Sequence, residues 1–306
     1  MLMCCGEALI DMLPRETAAG EQCFAPHAGG AVFNTSIALG RLGMPTAFLS
    51  GISTDTFGSI LCDALDESGV DRTCAIYSAR SCTLAFVTLV NGQANYLFYD
   101  ENTAGRMLDA ASLPGIPASA RALFFGGISL VGEPCGSFYE ALLLREAEDR
   151  VIMLDPNIRP AFITDEAAYR KRLARMLART DIVKVSDEDL LWLTGKTEIE
   201  DGANDLLAGG CKVVFVTEGA RGAHAYCGTK PVFVPAKKIE VIDTVGAGDT
   251  FNAGVLAALW GAGALTKSAL ATIDPSVLQT ALTMGVKCAA ITVSRAGANP
   301  PWEKEL

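Results

Sequence analysis

Short, continuous apolar runs recur along the chain, separated by stretches with helical spacing. Ala47-Ser50, Ala122-Phe125, Val151-Asp155, Ile182-Val185 and Val213-Thr217 show little alternation, which predicts strands covered on both faces. Val32-Leu42, Ile60-Ser68, Ser137-Ala147, Tyr169-Ala178 and Pro275-Val293 read as helices between or after them. Leu2 to Ile10 reads as the first buried strand. This alternation predicts an α/β fold with a mostly parallel central sheet, flanked by helices on right-handed crossovers. Two segments break the rhythm, about 12–27 and 82–101, because their strand residues lead into no helix. Thr83-Val90 and Ala94-Tyr99 read as a hairpin with Asn91-Gly92 as its turn. The two segments together predict a small β-sheet lid on a single domain spanning 1–306. Leu113 to Pro117 reads as a surface loop, and no internal repeat or low-complexity stretch is visible.

The chemistry begins at Asp243-Thr244-Val245-Gly246-Ala247-Gly248-Asp249. Gly246, Ala247 and Gly248 allow close backbone approach to an anion, and an apolar helix follows from Asp249 to Trp260. The helix start offers unpaired N–H groups and a partial positive charge, both suited to phosphate. Asp249 then stands where an alcohol would attack and can take its proton. An N-capping Asp after a glycine turn fits the same residues. A dinucleotide fingerprint is excluded, because Phe251 stands where its third glycine belongs. Gly195-Lys196-Thr197 is no P-loop, since Leu190 replaces its first glycine, and it reads as a helix end.

Near the N-terminus, Gly29-Gly30 enters a helix and Asn34 lies on its first turn. Asn can donate and accept, as a sugar hydroxyl requires, although a helix cap asks the same of it. Asp11 follows the first apolar run, where a sheltered carboxylate needs partners; a turn Asp is the simpler alternative. Arg159 has a long, planar fork that can reach an anion or a hydroxyl, or form a surface ion pair. Lys184 and the acidic run Asp187-Glu188-Asp189 follow a strand at the end where open α/β sheets bind ligands.

Taken in order, Gly29-Gly30-x-x-x-Asn34 and Asp-Thr-x-Gly-Ala-Gly-Asp at 243–249 resemble the two signatures of the PfkB (ribokinase-like) carbohydrate kinases. Gly6-Glu7-Ala8-Leu9-Ile10-Asp11, Asp155-Pro156-Asn157-Ile158-Arg159 and Val216-Thr217-Glu218-Gly219-x-x-Gly222 lie in the family's order. The resemblance runs from about Cys5 to Gly297 and looks most like the fructokinase branch. It implies a ribokinase-like fold with a lid over the sugar, and transfer of the γ-phosphate of ATP to a sugar hydroxyl. It implies Asp249 as base, with Gly246, Ala247 and Gly248 as an anion hole. Asp11, Gly29, Gly30, Asn34 and Arg159 would bind the sugar. Lys184, Thr217, Gly219, Gly222 and Gly248 would bind the nucleotide. The family's Asn-x-x-Glu motif, linked to Mg2+, reads Ser186-Asp187-Glu188-Asp189 here, leaving both Asp189 and Glu188 as candidates to orient the metal's waters. Asp243 and Val245, with carbonyls near Arg295-Gly297, resemble a monovalent-cation (K+) site. Within the family, 2-keto-3-deoxygluconate, ribose or a nucleoside are alternative substrates. A keto-deoxygluconate kinase tends to carry a lid arginine, whereas the stretch from Phe98 to Ala104 offers acids and Arg106 is the nearest base. A non-catalytic ligand-binding homologue would be expected to have lost the base or the glycine turn, and both are intact.

Composition narrows the setting. The 306 residues carry a net charge of −10, which argues against nucleic acid or an anionic membrane as partner. The apolar runs read as too short and interrupted to span a membrane. Ten cysteines without a Cys-x-x-Cys pair, and two histidines, argue against zinc and for reduced thiols in the cytoplasm. Cys5, Cys211 and Cys288 read as small core residues. An exposed lid sheet predicts a homodimer through the lid.

Overall fold

Gly6 to Ala8 is where the chain leaves its central sheet for a second, smaller one. The computed structural model describes residues 1–90, 93–228 and 230–306. Strand β1 (Leu2–Cys5) is buried throughout, as its unbroken apolar sequence requires. The expected strand from Leu2 to Ile10 is thus two. After the break, β2 (Leu9–Glu16) runs in the lid, because Glu7 is drawn into hydrogen bonds with neighbouring loops. Strand β3 (Gln22–Gly29) returns antiparallel to β2 and delivers the chain into α1 (Ala31–Arg41).

The chain then runs through β4 (Thr46–Leu49), β5 (Gly51–Ser53), α2 (Thr56–Glu67), β6 (Ile76–Ser78) and the lid strands β7 (Leu84–Val90) and β8 (Gln93–Tyr99). Next come β9 (Ala122–Gly126), α3 (Cys135–Glu146), β10 (Val151–Asp155), α4 (Glu166–Leu177), β11 (Ile182–Ser186), α5 (Asp187–Thr194) and α6 (Ile199–Ala208). Last are β12 (Val213–Thr217), β13 (Gly222–Tyr226), β14 (Val232–Pro235), α7 (Ala247–Gly261), α8 (Lys267–Ala271) and α9 (Pro275–Val293).

Among the described residues the central sheet has the order β14-β13-β12-β11-β10-β9-β1-β4. It is parallel from β4 to β12, whereas β13 and β14 add antiparallel to its edge. The antiparallel edge was not anticipated: Gly222–Tyr226 and Val232–Pro235 are short and carry no turn dipeptide that would mark them. The strand order reverses at β1, which sends the chain to β4 on one side and has β9 on the other. That switch point is where open α/β sheets offer a crevice at their C-terminal strand ends. The lid has the order β3-β2-β7-β8. The hairpin β7–β8 forms as expected, and its Asn91-Gly92 turn lies outside the described residues.

Helices α1, α2, α7 and α9 pack on one face of the central sheet, and α3 and α4 on the other. A third apolar cluster joins α5 and α6 to β11 and β12. Helix α2 begins four residues before Ile60, because Asp55 caps it by accepting the Gly58 N–H. Gly195 ends α5 in the left-handed region at φ 71°, as its sequence suggested. Helix α9 is long and apolar enough by length and composition to cross a bilayer. Its Leu278, Ala281, Leu282 and Cys288 are instead buried in the core.

Helix α7, almost wholly buried, crosses α9 at a pair of glycines. A Cβ on Gly254 would lie 2.8 Å from Gly285 Cα and 2.9 Å from the Met284 carbonyl oxygen. These are backbone atoms, so relief requires the helices to separate. Gly254→Val is expected to destabilise by at least about 1–3 kcal/mol, the usual cost of overpacking. An unchanged urea midpoint would show that this crossing tolerates bulk.

Candidate active site

A cavity of about 320 Å³ opens at the C-terminal ends of the parallel strands, between the central sheet and the lid. Helix α7 points its N-terminus into it. Gly246 makes this possible: its φ of 77° is left-handed, and an added Cβ would lie 2.8 Å from that of Ala298. The turn from Thr244 to Asp249 lines the cavity, so first-turn N–H groups and the helix dipole face the space.

Asp249 lies on the first turn of α7 and is only 8% exposed. Its Oδ2 accepts a hydrogen bond from Asn34 Nδ2 at 2.9 Å, which joins α7 to α1. Thr35 Oγ1 strengthens the junction, donating to the Ala31 carbonyl (3.0 Å) and lying 3.2 Å from the Asp249 carbonyl. Burial pushes the Asp249 carboxyl up to about 7; the Asn34 hydrogen bond opposes this, Asp155 adds to it and Lys184 opposes it. The carboxylate is therefore poised to exchange a proton near neutrality, as a general base requires.

Beneath Gly248 lies a buried ion pair. Lys184, on β11, donates from Nζ to Asp155 Oδ2 at 2.9 Å, and Asn252 Nδ2 donates to the same oxygen at 2.7 Å. A Cβ on Gly248 would lie 3.2 Å from Lys184 Nζ, so the ammonium sits directly against the glycine turn. Asp155 ends β10, and its Oδ1 accepts the Asn157 N–H at 3.2 Å.

The cavity is also lined by Glu7, Leu9, Asp11, Gly30, Asn34 and Phe98. Asp11 is within β2 rather than at a strand end, and burial pushes its carboxyl up to about 6. Burial also raises Glu7, while the N–H groups of Ser129 and Ala31 hold it down. Phe98 comes from the lid and meets Phe162 of the core edge-on, with ring centroids 4.2 Å apart. The lid thus touches the core across the cavity mouth. Arg159 also lines the cavity; its guanidinium makes no ion pair among the described residues and donates only to the adjacent Ile158 carbonyl.

Sequence reasoning thus finds one cluster: Asp11, Gly30, Asn34, Arg159, Lys184, Val245, Gly246, Ala247, Gly248 and Asp249 all line one cavity. Other candidates lie outside its wall. Gly29 pairs with Leu9 just behind Asp11. Thr217 ends β12, and Gly219 and Gly222 bracket the turn into β13. Asp189 is buried behind Arg159, where it accepts the Ile158 N–H at 3.2 Å, and burial foremost pushes it up to about 6. Glu188, one residue before, is exposed. Asp243 clasps two loops, accepting the Val245 N–H at 3.0 Å and the Gly297 N–H at 2.9 Å. Arg106, the nearest lid base, is tied to Asp100 at 2.7 Å and stays out of the cavity.

Glu7, Asp155, Asn157, Asn252 and Phe162 escaped the sequence reading as site residues. Asp155 and Asn157 sit in the motif that supplied Arg159. Glu7 carried a signal too, an acid interrupting an apolar run.

The chain is similar to known proteins along nearly its whole length. The chain matches the model of the pfkB family carbohydrate kinases over residues 1–305. It is 54% identical to a fructokinase of Rhizobium leguminosarum bv. trifolii over 279 residues, 91% of this chain and 86% of that one. It is 33% identical to fructokinase-1 of Oryza sativa subsp. japonica, covering 98% of this chain and 94% of that one. The crystal structure of fructokinase with bound ATP from Xylella fastidiosa superposes with a TM-score of 0.86 at 27% identity, over 97% of this chain and 93% of that one. The match spans nearly the whole chain, and the curated relatives cover it at 54% and 33% identity: it belongs to the PfkB family of carbohydrate kinases.

Proposed function

We propose that the chain is an ATP-dependent fructokinase in which Asp249 is the base. The observation that carries the reaction is Asp249 itself, a buried carboxylate at a helix N-terminus, held by an amide rather than a cation. An ammonium partner would hold its proton affinity low. The available ammonium, Lys184, is engaged by Asp155 and aimed at the glycine turn, where a phosphoryl group would lie. A sugar held by Asp11, Gly30 and Asn34 presents a hydroxyl to Asp249. That hydroxyl gives its proton to Asp249 as it attacks the γ-phosphorus, the bond to the β–γ bridging oxygen breaks and ADP leaves, and the N–H groups at 246–248 with Lys184 stabilise the charge that develops. Arg159, which donates to the Ile158 carbonyl and makes no ion pair among the described residues, has further donors for the sugar or the γ-phosphate. Thr217, Gly219 and Gly222 are proposed to line the nucleotide side, beyond the cavity.

The choice of fructose is supported by the 54% identity to a fructokinase over most of both chains. ATP as donor is supported by the Xylella fastidiosa structure, which holds it. A carboxylated sugar is disfavoured, because Arg106 is committed to Asp100. Among the described residues no group of three or more His, Cys, Asp or Glu converges. That donor set suits Mg2+ held mainly by phosphates and water, with Asp189 rather than exposed Glu188 orienting the waters. The clasp of Asp243 over Val245 and Gly297 is a fitting frame for K+. On the lid, Phe24, Leu97 and Tyr99 are exposed and suit a second copy of the chain. Ten free thiols suit the cytoplasm.

The deciding assay is ADP release with Mg2+ and ATP against fructose, keto-deoxygluconate, ribose, tagatose, adenosine and an aminoimidazole riboside. Fructose should be turned over best; preference for another sugar would overturn the substrate and leave the mechanism standing. Asp249→Asn should lower turnover by roughly 10²–10⁴ with sugar binding retained. Near-normal turnover would remove Asp249 from the role of base. Wild-type turnover should rise with pH through about 7, where Asp249 ionises. The folded carboxyl titrates above its unfolded value of 3.8, so its contribution to stability is full below about pH 4 and is lost as pH rises through about 7. Asp249→Asn should therefore be more stable than wild type at pH 8, by about 1–4 kcal/mol, and equal near pH 4; parallel stability curves would contradict the burial argument. Asn34→Ala should raise the sugar KM and leave that for ATP unchanged, and the reverse pattern would invert the proposed division of the cavity.

A further inference from the structure

Helix α1 has no cap of its own. Its N-cap is Gly30, at φ 111°, and its first turn carries no acid. Glu7 supplies what the helix lacks from the break between β1 and β2. Its Oε1 accepts the Ala31 N–H at 2.9 Å, and its Oε2 accepts the Ser129 N–H at 3.3 Å. The side chain is closely flanked by two glycines: a Cβ on Gly127 would lie 2.0 Å from Oε1, and one on Gly30 would lie 3.2 Å from Glu7 Cγ. One buried carboxylate thus ties the start of α1 to the loop after β9 and to the end of β1.

We propose that Glu7 is a positioning residue for phosphoryl transfer, fixing the start of α1 so that Asn34 meets Asp249. The inference rests on the roles proposed above for those two residues. Asn34 lies three residues beyond Ala31 on the same rigid helix, with its own N–H bonded to the Gly30 carbonyl at 2.8 Å. An error at Ala31 is therefore carried directly to the amide that holds Asp249. The site demands a carboxylate, because two backbone donors converge on two oxygens. An amide there accepts one N–H and turns its NH2 on the other, leaving a buried donor unpaired.

The test is Glu7→Gln, made in the wild type and in Asn34→Ala, assayed on whichever panel sugar the wild type turns over best. Alone it should lower kcat/KM for the sugar by about 10–100-fold, the scale of a misplacement near 1 Å. The KM for ATP should stay within about threefold, and in the Asn34→Ala background the same change should cost less than about threefold. Equal losses in both backgrounds, or a shift confined to ATP, would overturn the proposal. Should Glu7→Gln fail to fold, amide hydrogen exchange of the wild type decides. The Ala31 and Ser129 amides should be strongly protected and slow further with sugar; exchange at the rate of open loops would sink the idea. Absence of wild-type turnover on every sugar would count against the proposed function, whereas additivity counts only against Glu7.

Discussion

The hydrogen bond from Asn34 to Asp249 joins the two helices that frame the cavity, and much of the molecule exists to make it. A carboxylate withdrawn from water must find partners, yet a cationic partner would depress the proton affinity that a base needs. An amide donor resolves the conflict, provided that α1 and α7 are held in register. That register depends on features far apart in sequence. Gly254 and Gly285 let α7 lie close against α9, and Gly246 lets it begin abruptly beneath the cavity. On the other side β3 feeds α1 directly, through Gly29 and Gly30, from the lid.

The distribution of charge follows the same logic. A protein of net charge −10 repels polyanions at long range. The cavity counters this locally with a helix N-terminus, the buried Lys184 and the exposed Arg159. Lys184 is not left unpaired, since Asp155 holds it and is itself held by Asn252. The pair costs desolvation, and its value lies in where it holds the ammonium rather than in stability.

The lid is anchored as carefully as the cavity floor. Thr83 and Asp100 flank its hairpin and are hydrogen-bonded to each other at 2.8 Å. Arg106 ties Asp100 back to the Glu133 carbonyl of the core. Phe98 and Phe162 then meet across the mouth. The lid is tethered at its base and touches the core at its inner face, an arrangement suited to excluding water from a phosphoryl transfer.

Local pattern alone determined a good part of this. Unbroken apolar runs can be strands only if both faces are covered, so β10 and β12 and the parallel sheet were legible from Val151-Asp155 and Val213-Thr217. The glycine turn before Asp249 and the pair before Asn34 were legible because so few conformations suit them. What the sequence withheld were the relations between distant segments. Nothing near Glu7 shows that its partners are Ala31 and Ser129, and nothing near Lys184 shows that Asp155 will hold it. The strand from Leu2 to Ile10 looked continuous because an apolar run does not state which sheet it joins. Those decisions belong to tertiary structure: hydrogen bonds to a buried carboxylate are fixed by which loops the fold brings together, and a chain's local preferences carry no record of that meeting.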